Sequence, residues 1–428
     1  MSALDLEASS AASGSSRGLA SASAYVLGGT MALNVCGFAF HAVASRKLGV
    51  ADYGTLYALI SLYLIAVLPS TFLAPVAARY AAEFCALHDD AHVRGLIAVV
   101  LRIFGAIGVA YVAASAIFAV PLGAFLHVPA WGVPIVGLTS AAGVLAAMLR
   151  AVGQGAHAYR AFAESGVAEG VLKVLAVLAF GLVGLNVFGA IGSFLFGVAA
   201  GLALIALPLG RRYVRVPSRA VVWDWRRIIA TTAGAGAIAL TTALIGTVDV
   251  LIVKHVFSAH EAGLYSAASL GGKILLYFVG FVPAVLIPQA TDRHARGERT
   301  RHTLALALVF IAIVGVCGVV AYRFGGLILL HALYGTQFDG ALALLPGYGA
   351  MMALLAGTNA LASYGIATHR LGFALPLVIA TLATLGAIVV AHPTVGAVVN
   401  ELVIGNVVIF GVVAAALAIQ GARGAARA

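Results

Sequence analysis

The sequence predicts an all-α integral membrane protein: about twelve transmembrane helices in two six-helix lobes, related by a pseudo-two-fold axis along the membrane normal. Three observations predict it. The 428 residues are 62% hydrophobic and only 9% charged, whereas a soluble domain carries charge on about 25% of its residues. Apolar runs near 20 residues alternate with short polar breaks along the chain, and about 20 residues cross a hydrocarbon core of ~30 Å. The two halves also repeat one motif at matching places.

Residues 1–20 are mostly Ser, Ala and Gly with scattered charges. Such a segment buries too little apolar area to offset its ordering entropy, so a disordered cytoplasmic tail is expected. It lacks the basic start of a signal peptide, and the apolar run behind it continues into a full span. Spans are expected near 21–43, 54–78, 96–120, 132–153, 165–185, 187–209, 228–253, 264–290, 304–322, 339–361, 372–391 and 396–420. They must be helices, because unpaired amides are too costly in hydrocarbon and barrel strands would alternate in polarity. The domain reading is an N-terminal lobe 21–209, a basic cytoplasmic linker 210–227, a C-terminal lobe 228–420 and a short cytoplasmic tail 421–428.

The formal charge of +10 sets orientation. With the N-terminus in the cytoplasm, 18 of the 25 Lys and Arg fall on cytoplasmic breaks, Arg150 among them, and four (Arg46, Lys47, Lys254, Arg323) on the other side. That bias places both termini in the cytoplasm. The linker's Trp223 and Trp225 beside Arg226 and Arg227 read as an interfacial anchor. No basic run interleaved with aromatics suggests a nucleic-acid surface. The three cysteines lie far apart, and Cys36 and Cys317 sit in apolar runs where a thiol behaves as a small hydrophobe. His88, Asp89, Asp90 and His92 read as a solvated turn, so no metal and no cofactor is expected. No Gly-rich loop ends in Lys-Ser/Thr, which argues against an ATP-driven pump.

The break after the first span reads Arg46-Lys-Leu-Gly-Val-Ala-Asp52-Tyr-Gly54, and the break after the seventh runs from Lys254 through Glu261 to Gly263. Each has a base, small residues, an acid, one residue and a glycine, then a new span. The following helices carry Pro75 and Pro288, with Arg79 and Arg293 soon after. Six spans per half make the repeats run in the same sense, which predicts the axis along the normal and a cavity between the halves.

The stretch ASRKLGVADYGTLYALISLY (44–63) resembles the opening loop of the polysaccharide flippases in the multidrug/oligosaccharidyl-lipid/polysaccharide (MOP) exporter superfamily. VDVLIVKHVFSAHEAGLYSAASLGGKI (248–274) resembles the matching region of their second half. The resemblance implies an inner-membrane transporter, not an enzyme, moving a polyprenyl-diphosphate glycan between leaflets. It implies a lipid-linked glycan substrate, membrane lipids around the protein and polysaccharide polymerisation machinery as a candidate partner. Many relatives carry two further helices.

An anionic, hydrated headgroup crossing hydrocarbon needs fixed positive charge on its path. Lys273 lies near the middle of the eighth span, Arg102 about two turns inside the third, and Lys173 in the fifth. These three are the candidates for a cationic, substrate-binding cavity. Lys173 follows Glu169 by four residues, so an internal ion pair competes with that role. Arg102 could equally snorkel to the surface. Asp249 and Glu169 are candidates for ion coupling, although Asp249 and Glu401 also read as solvated helix ends. Gly197 and Gly201 fit a small-xxx-small packing pattern, a match that chance explains in a chain with 50 glycines. Two other functions stay open. A cation-coupled small-molecule antiporter of the same superfamily is disfavoured by a first span with Asn34 and His41 but no carboxylate. A polytopic polymerase, ligase or glycosyltransferase would need a larger loop domain or paired acids.

Overall fold

A computed structural model describes residues 3–182, 184, 186–221, 225–296, 300–390 and 393–425. Among these, sixteen α-helices follow one another with no strand between them. The first half contains α1 (Ala3–Leu48), α2 (Val50–Ala66), α3 (Leu68–Ala86), α4 (Asp90–Ile117), the short α5 (Ala119–Leu126), α6 (Gly132–Gly155), α7 (Tyr159–Leu182) and α8 (Val187–Tyr213). The second half contains α9 (Trp225–Ala243), a π-helical turn (Leu244–Val248), α10 (Asp249–Val256), α11 (Ala259–Phe278), α12 (Val282–Ala295), α13 (Arg301–Leu333), α14 (Leu345–Ala367), α15 (Ala374–Val390) and α16 (Val395–Ala425).

Among the described residues ten helical segments are long and apolar enough to cross a membrane, one of them running from α9 through the π-turn into α10, and the pair α2 and α3, bent by 40°, makes an eleventh. Helices α11 and α12 occupy the place of the twelfth. The expected continuous spans 54–78 and 264–290 are therefore both broken, at Val67 and at Val279–Phe281. Proline explains the two breaks alike. Pro69 and Pro283 each stand second in the new half-helix, where a missing N–H costs nothing because it would be unpaired anyway. Residues 3–20, expected as a disordered tail, continue α1 without interruption. The segment is rich in alanine, the best helix former, and contains no proline. Trp223 and the side chain of Trp225 lie outside the described residues.

The chain divides into two compact units, Met1–Val43 with Pro69–Ile117 and Pro134–Trp223, and Ala44–Leu68 with Phe118–Val133 and Asp224–Ala428. These differ from a cut at 210–227, because α2 and α5 group with the C-terminal helices. The repeated motif supplies the reason. A Cβ on Gly54 would lie 2.8 Å from the Gly263 amide nitrogen, so α2 and α11 cross backbone to backbone at the two motif glycines. Each motif acid stands in the first turn of its helix, Asp52 in α2 and Glu261 in α11, where the helix dipole favours negative charge. Ser258 and Glu261 complete a capping box. Nearby, Arg46 donates to the carbonyls of His331 (3.2 Å) and Ala332 (2.5 Å) at the C-terminal end of α13, and Tyr53 packs edge-on against Tyr334 and Phe338.

In the first unit, α7 packs on α8 through Gly197 and Gly201. A Cβ on Gly197 would stand 2.6 Å from the Glu169 carbonyl oxygen, and one on Gly201 would stand 3.0 Å from Glu169 Cβ. The small-xxx-small match is thus a real helix contact and not a chance one.

Candidate functional site

The buried charged side chains Asp249, Lys254 and Lys273 of the second unit gather where α2, the π-turn, α10, α11 and α14 meet. Lys273 of α11 is 7% exposed. Its Nζ donates to the Tyr57 hydroxyl at 2.9 Å and lies 5.2 Å from that ring's centroid. Gly246 in the π-turn leaves room for the lysine stem, since a Cβ there would meet Lys273 Cε at 3.3 Å. Among the described residues Lys273 forms no ion pair; a neutral phenol is its hydrogen-bond partner. The alternative of a buried Lys–carboxylate pair is therefore not what the structure contains.

Asp249 follows the π-turn directly and is fully buried. This corrects the reading of a solvated helix end: α10 continues to Val256, so the acid sits about two turns from the end of its span. Its Oδ2 accepts from Tyr265 (2.7 Å) and Tyr348 (2.5 Å), and Ser269 donates to the Tyr348 hydroxyl at 2.9 Å. Its Oδ1 is buried with no hydrogen-bond partner. A half-satisfied carboxylate in a dry interior is costly unless a proton or cation takes the open oxygen. A π-turn beside it is the kind of helix irregularity that recurs at functional positions. Lys254, counted above with an outer break, is also inside: it is 2% exposed and donates to Thr55 Oγ1 at 3.0 Å.

The first unit has its own buried cluster on α6, α7 and α8. Glu169 Oε2 accepts from Arg150 Nη2 at 2.6 Å, and its Oε1 lies 3.7 Å from Lys173 Nζ. The Arg150 Nε also donates to Ser165 Oγ at 2.8 Å, and Ser165 in turn donates to the Gly201 carbonyl at 2.6 Å. Lys173 stands 4.0 Å from the centroid of Phe194. The expected Glu169–Lys173 pair is present, but it is one side of a triad with two cations and one carboxylate. Arg150 is not a residue of a cytoplasmic break: it lies within α6 and turns inward. Its position inside the expected span 132–153 was the signal available for this in the sequence.

Arg102 stands apart, exposed on α4 and with no hydrogen bond or ion pair among the described residues. Glu401 lies in the second turn of α16 with Oε2 buried and unpartnered. The His88–His92 turn is a helix start: Asp89 accepts from the His92 amide at 3.1 Å and pairs with its ring at 2.6 Å. The His92 side-chain hydrogen bond holds the Asp89 carboxyl below the usual carboxylate range. No group of three potential metal ligands occurs among the described residues. The tyrosines Tyr57, Tyr265 and Tyr348 were not foreseen as site residues. Only the packing of α2 and α14 on α11 makes them neighbours of Lys273 and Asp249.

No family model and no curated protein matches the sequence. Solved structures do. The chain is similar to a multidrug resistance MATE family transporter of the MOP superfamily in its inward-facing conformation, with a TM-score of 0.75 at 11% identity over 91% of this chain and 96% of that one. It is similar to the lipid II flippase MurJ in an inward closed conformation, with a TM-score of 0.64 at 13% identity over 91% of this chain and 86% of that one. A MOP superfamily transporter from Pyrococcus furiosus, whose binding pocket is described as reversed in polarity, gives 0.58 at 14% identity, covering 92% and 93%. At such identities the likeness carries the fold alone: this is an all-helical membrane chain whose fold is similar to that of these solved transporters.

Proposed function

We propose that this chain is a transporter that flips a lipid-linked oligosaccharide, a polyprenyl-diphosphate glycan, from the inner to the outer leaflet by alternating access. The membrane is a bacterial plasma membrane, and the product feeds cell-surface polysaccharide synthesis. The observation that carries the reading is Lys273, a buried cation in a membrane span that makes no direct ion pair among the described residues, although the buried Asp249 feels its charge. An intramembrane charge is expensive, and one that no carboxylate touches keeps its donors open to an anionic ligand. The triad around Glu169 adds a second buried site with one excess positive charge, so Lys173 and Arg150 join Lys273 as substrate-binding candidates. Arg102 keeps a place only as a residue on the approach path. No residue is assigned a catalytic role. The test is complementation of a bacterial strain lacking its glycan flippase: surface glycan should return, and its failure to return in cells where the protein reaches the membrane would overturn the reading.

A second reading, a cation-coupled antiporter of small molecules, draws on the open Oδ1 of Asp249. The two readings share that residue: in a flippase driven by an ion, Asp249 is the coupling candidate as well. Glu169 is the weaker candidate because both its oxygens already face cations.

Both termini are placed in the cytoplasm by the Lys/Arg bias. Cysteine probes at Ser218 and His260, both exposed, should separate the two sides. A membrane-impermeant thiol reagent added outside whole cells should label His260→Cys and miss Ser218→Cys; the reverse pattern would invert the topology. Ser258 is unsuitable because it caps α11, and Thr300 is unsuitable because it is buried against Tyr364.

A further inference from the structure

We infer that the cavity between α12 and the first turn of α13 binds an anionic phospholipid of the surrounding membrane. The cavity measures about 250 Å³, roughly the space of eight waters. It is polar at one end, with Arg293, His302 and Thr303, and apolar at the other, with Phe281, Leu306 and Phe310. The order follows from the antiparallel course of the two helices. Arg293, near the end of α12, faces the start of α13, while Phe281, just before α12, meets Phe310 edge-on with centroids 5.8 Å apart. About seven residues of α13, or ~10 Å of helix, separate the polar end from Phe310. All three apolar residues are exposed on the outside of the helices, where hydrocarbon chains lie.

The polar end is built for an anion, and among the described residues no carboxylate lines it. Thr300 holds the N-cap position of α13, but its hydroxyl pairs with the Tyr364 hydroxyl at 2.7 Å, and no side chain caps the helix. The first backbone bond of the helix is from Leu304 N to Thr300 O. The amides of Arg301, His302 and Thr303 are therefore the open, positive end of a 33-residue helix. Thr303 supplies independent evidence. It is 8% exposed, lines the cavity, and its hydroxyl is buried with no hydrogen-bond partner. Threonines deeper in helices satisfy theirs on the carbonyl four residues back, as Thr381 does on Leu377 at 2.8 Å. The Thr303 hydroxyl makes no such bond. Arg293 keeps its guanidinium available, because the neighbouring Asp292 pairs with Arg296 at 2.8 Å.

A phosphodiester meets these groups with its unesterified oxygens, on the helix amides, the Thr303 hydroxyl and Arg293. Its chains then run along Leu306 and Phe310. A small soluble anion would leave the aromatic end unused. A zwitterionic lipid would bring an ammonium, and no carboxylate lines the cavity to receive it. A phosphatidylglycerol headgroup fits both conditions. The inference does not depend on what the protein transports.

Native mass spectrometry of the purified full chain, exchanged into detergent with equal phosphatidylglycerol and phosphatidylethanolamine, tests this directly. The parent should retain phosphatidylglycerol in preference. Thr303→Val and Arg293→Gln should each lower its retention about tenfold, the effect of one hydrogen bond to a charged group, with lipid-free melting unchanged. Equal retention of the two lipids by the parent, or parental retention in Thr303→Val, would overturn the assignment. Should Arg293→Gln fail to fold, Thr303→Val decides by itself, since it keeps the side chain's size and removes only the hydroxyl.

Discussion

Lys273→Ala should abolish or strongly reduce export of the glycan while the protein still reaches the membrane in normal amount and melts close to the parent. The reason is the partner. Lys273 donates to a phenol and forms no ion pair among the described residues, so its removal breaks no direct pair, and the buried Asp249 loses only the longer-range attraction of its charge. The Tyr57 hydroxyl loses a donor but can still find water or turn its own proton. Removing an intramembrane cation also relieves an insertion cost of roughly 2.5–3.5 kcal/mol if the residue sits at the span centre. Lys273→Arg should keep much of the activity, since both cations serve anions, although the planar fork fits the space beside Gly246 less well. The deciding measurement is export complementation run beside detergent melting for both variants. A stable Lys273→Ala protein with full export would remove this residue from the binding site.

The opposite behaviour is expected in the first unit. Glu169→Gln leaves Arg150 and Lys173 buried within one cluster with no negative charge between them. Breaking a buried pair in this way costs about 3–5 kcal/mol, and here one deletion uncovers two cations. The melting temperature should fall sharply and the amount of folded protein with it. Adding Lys173→Met to Glu169→Gln removes one of the stranded charges and should recover most of the lost stability. If Glu169→Gln melts like the parent, the triad does not hold α6 and α7 together, and Glu169 becomes a stronger candidate for ion coupling. The contrast between the two sites separates a cation whose loss the fold tolerates from a carboxylate that the fold needs, whatever anion Lys173 and Arg150 also meet.

The same logic explains why Asp249 and Glu169 looked alike in the sequence. Both are single acids in apolar runs, and hydropathy assigns them one cost. Their surroundings differ completely. Glu169 faces a cation at each oxygen, whereas Asp249 has two tyrosine hydroxyls on one oxygen and no hydrogen-bond partner on the other. A helix that continues two turns past Asp249, with a π-turn before it, is what moved this acid from an expected solvated end into the dry interior.

The amino-acid sequence alone determined the class, the approximate place of every span and the internal repeat, because each of these is local. A run of 20 apolar residues must become a helix in lipid wherever it sits. The motif glycines and acids were also legible as a repeat, whereas the breaks beside Pro69 and Pro283 were not, since both spans were expected to be continuous. What only the tertiary structure decided is which side chains meet. That Gly54 lies against Gly263, that Tyr57 faces Lys273 across 216 positions, and that Arg150 turns inward onto Glu169 are consequences of helix packing. No periodicity encodes them: a helix face fixes neighbours three and four residues away, while partners on other helices depend on crossing points set by small residues. The physical division is between hydrophobicity, which each segment carries by itself, and buried polar complementarity, which exists only between segments.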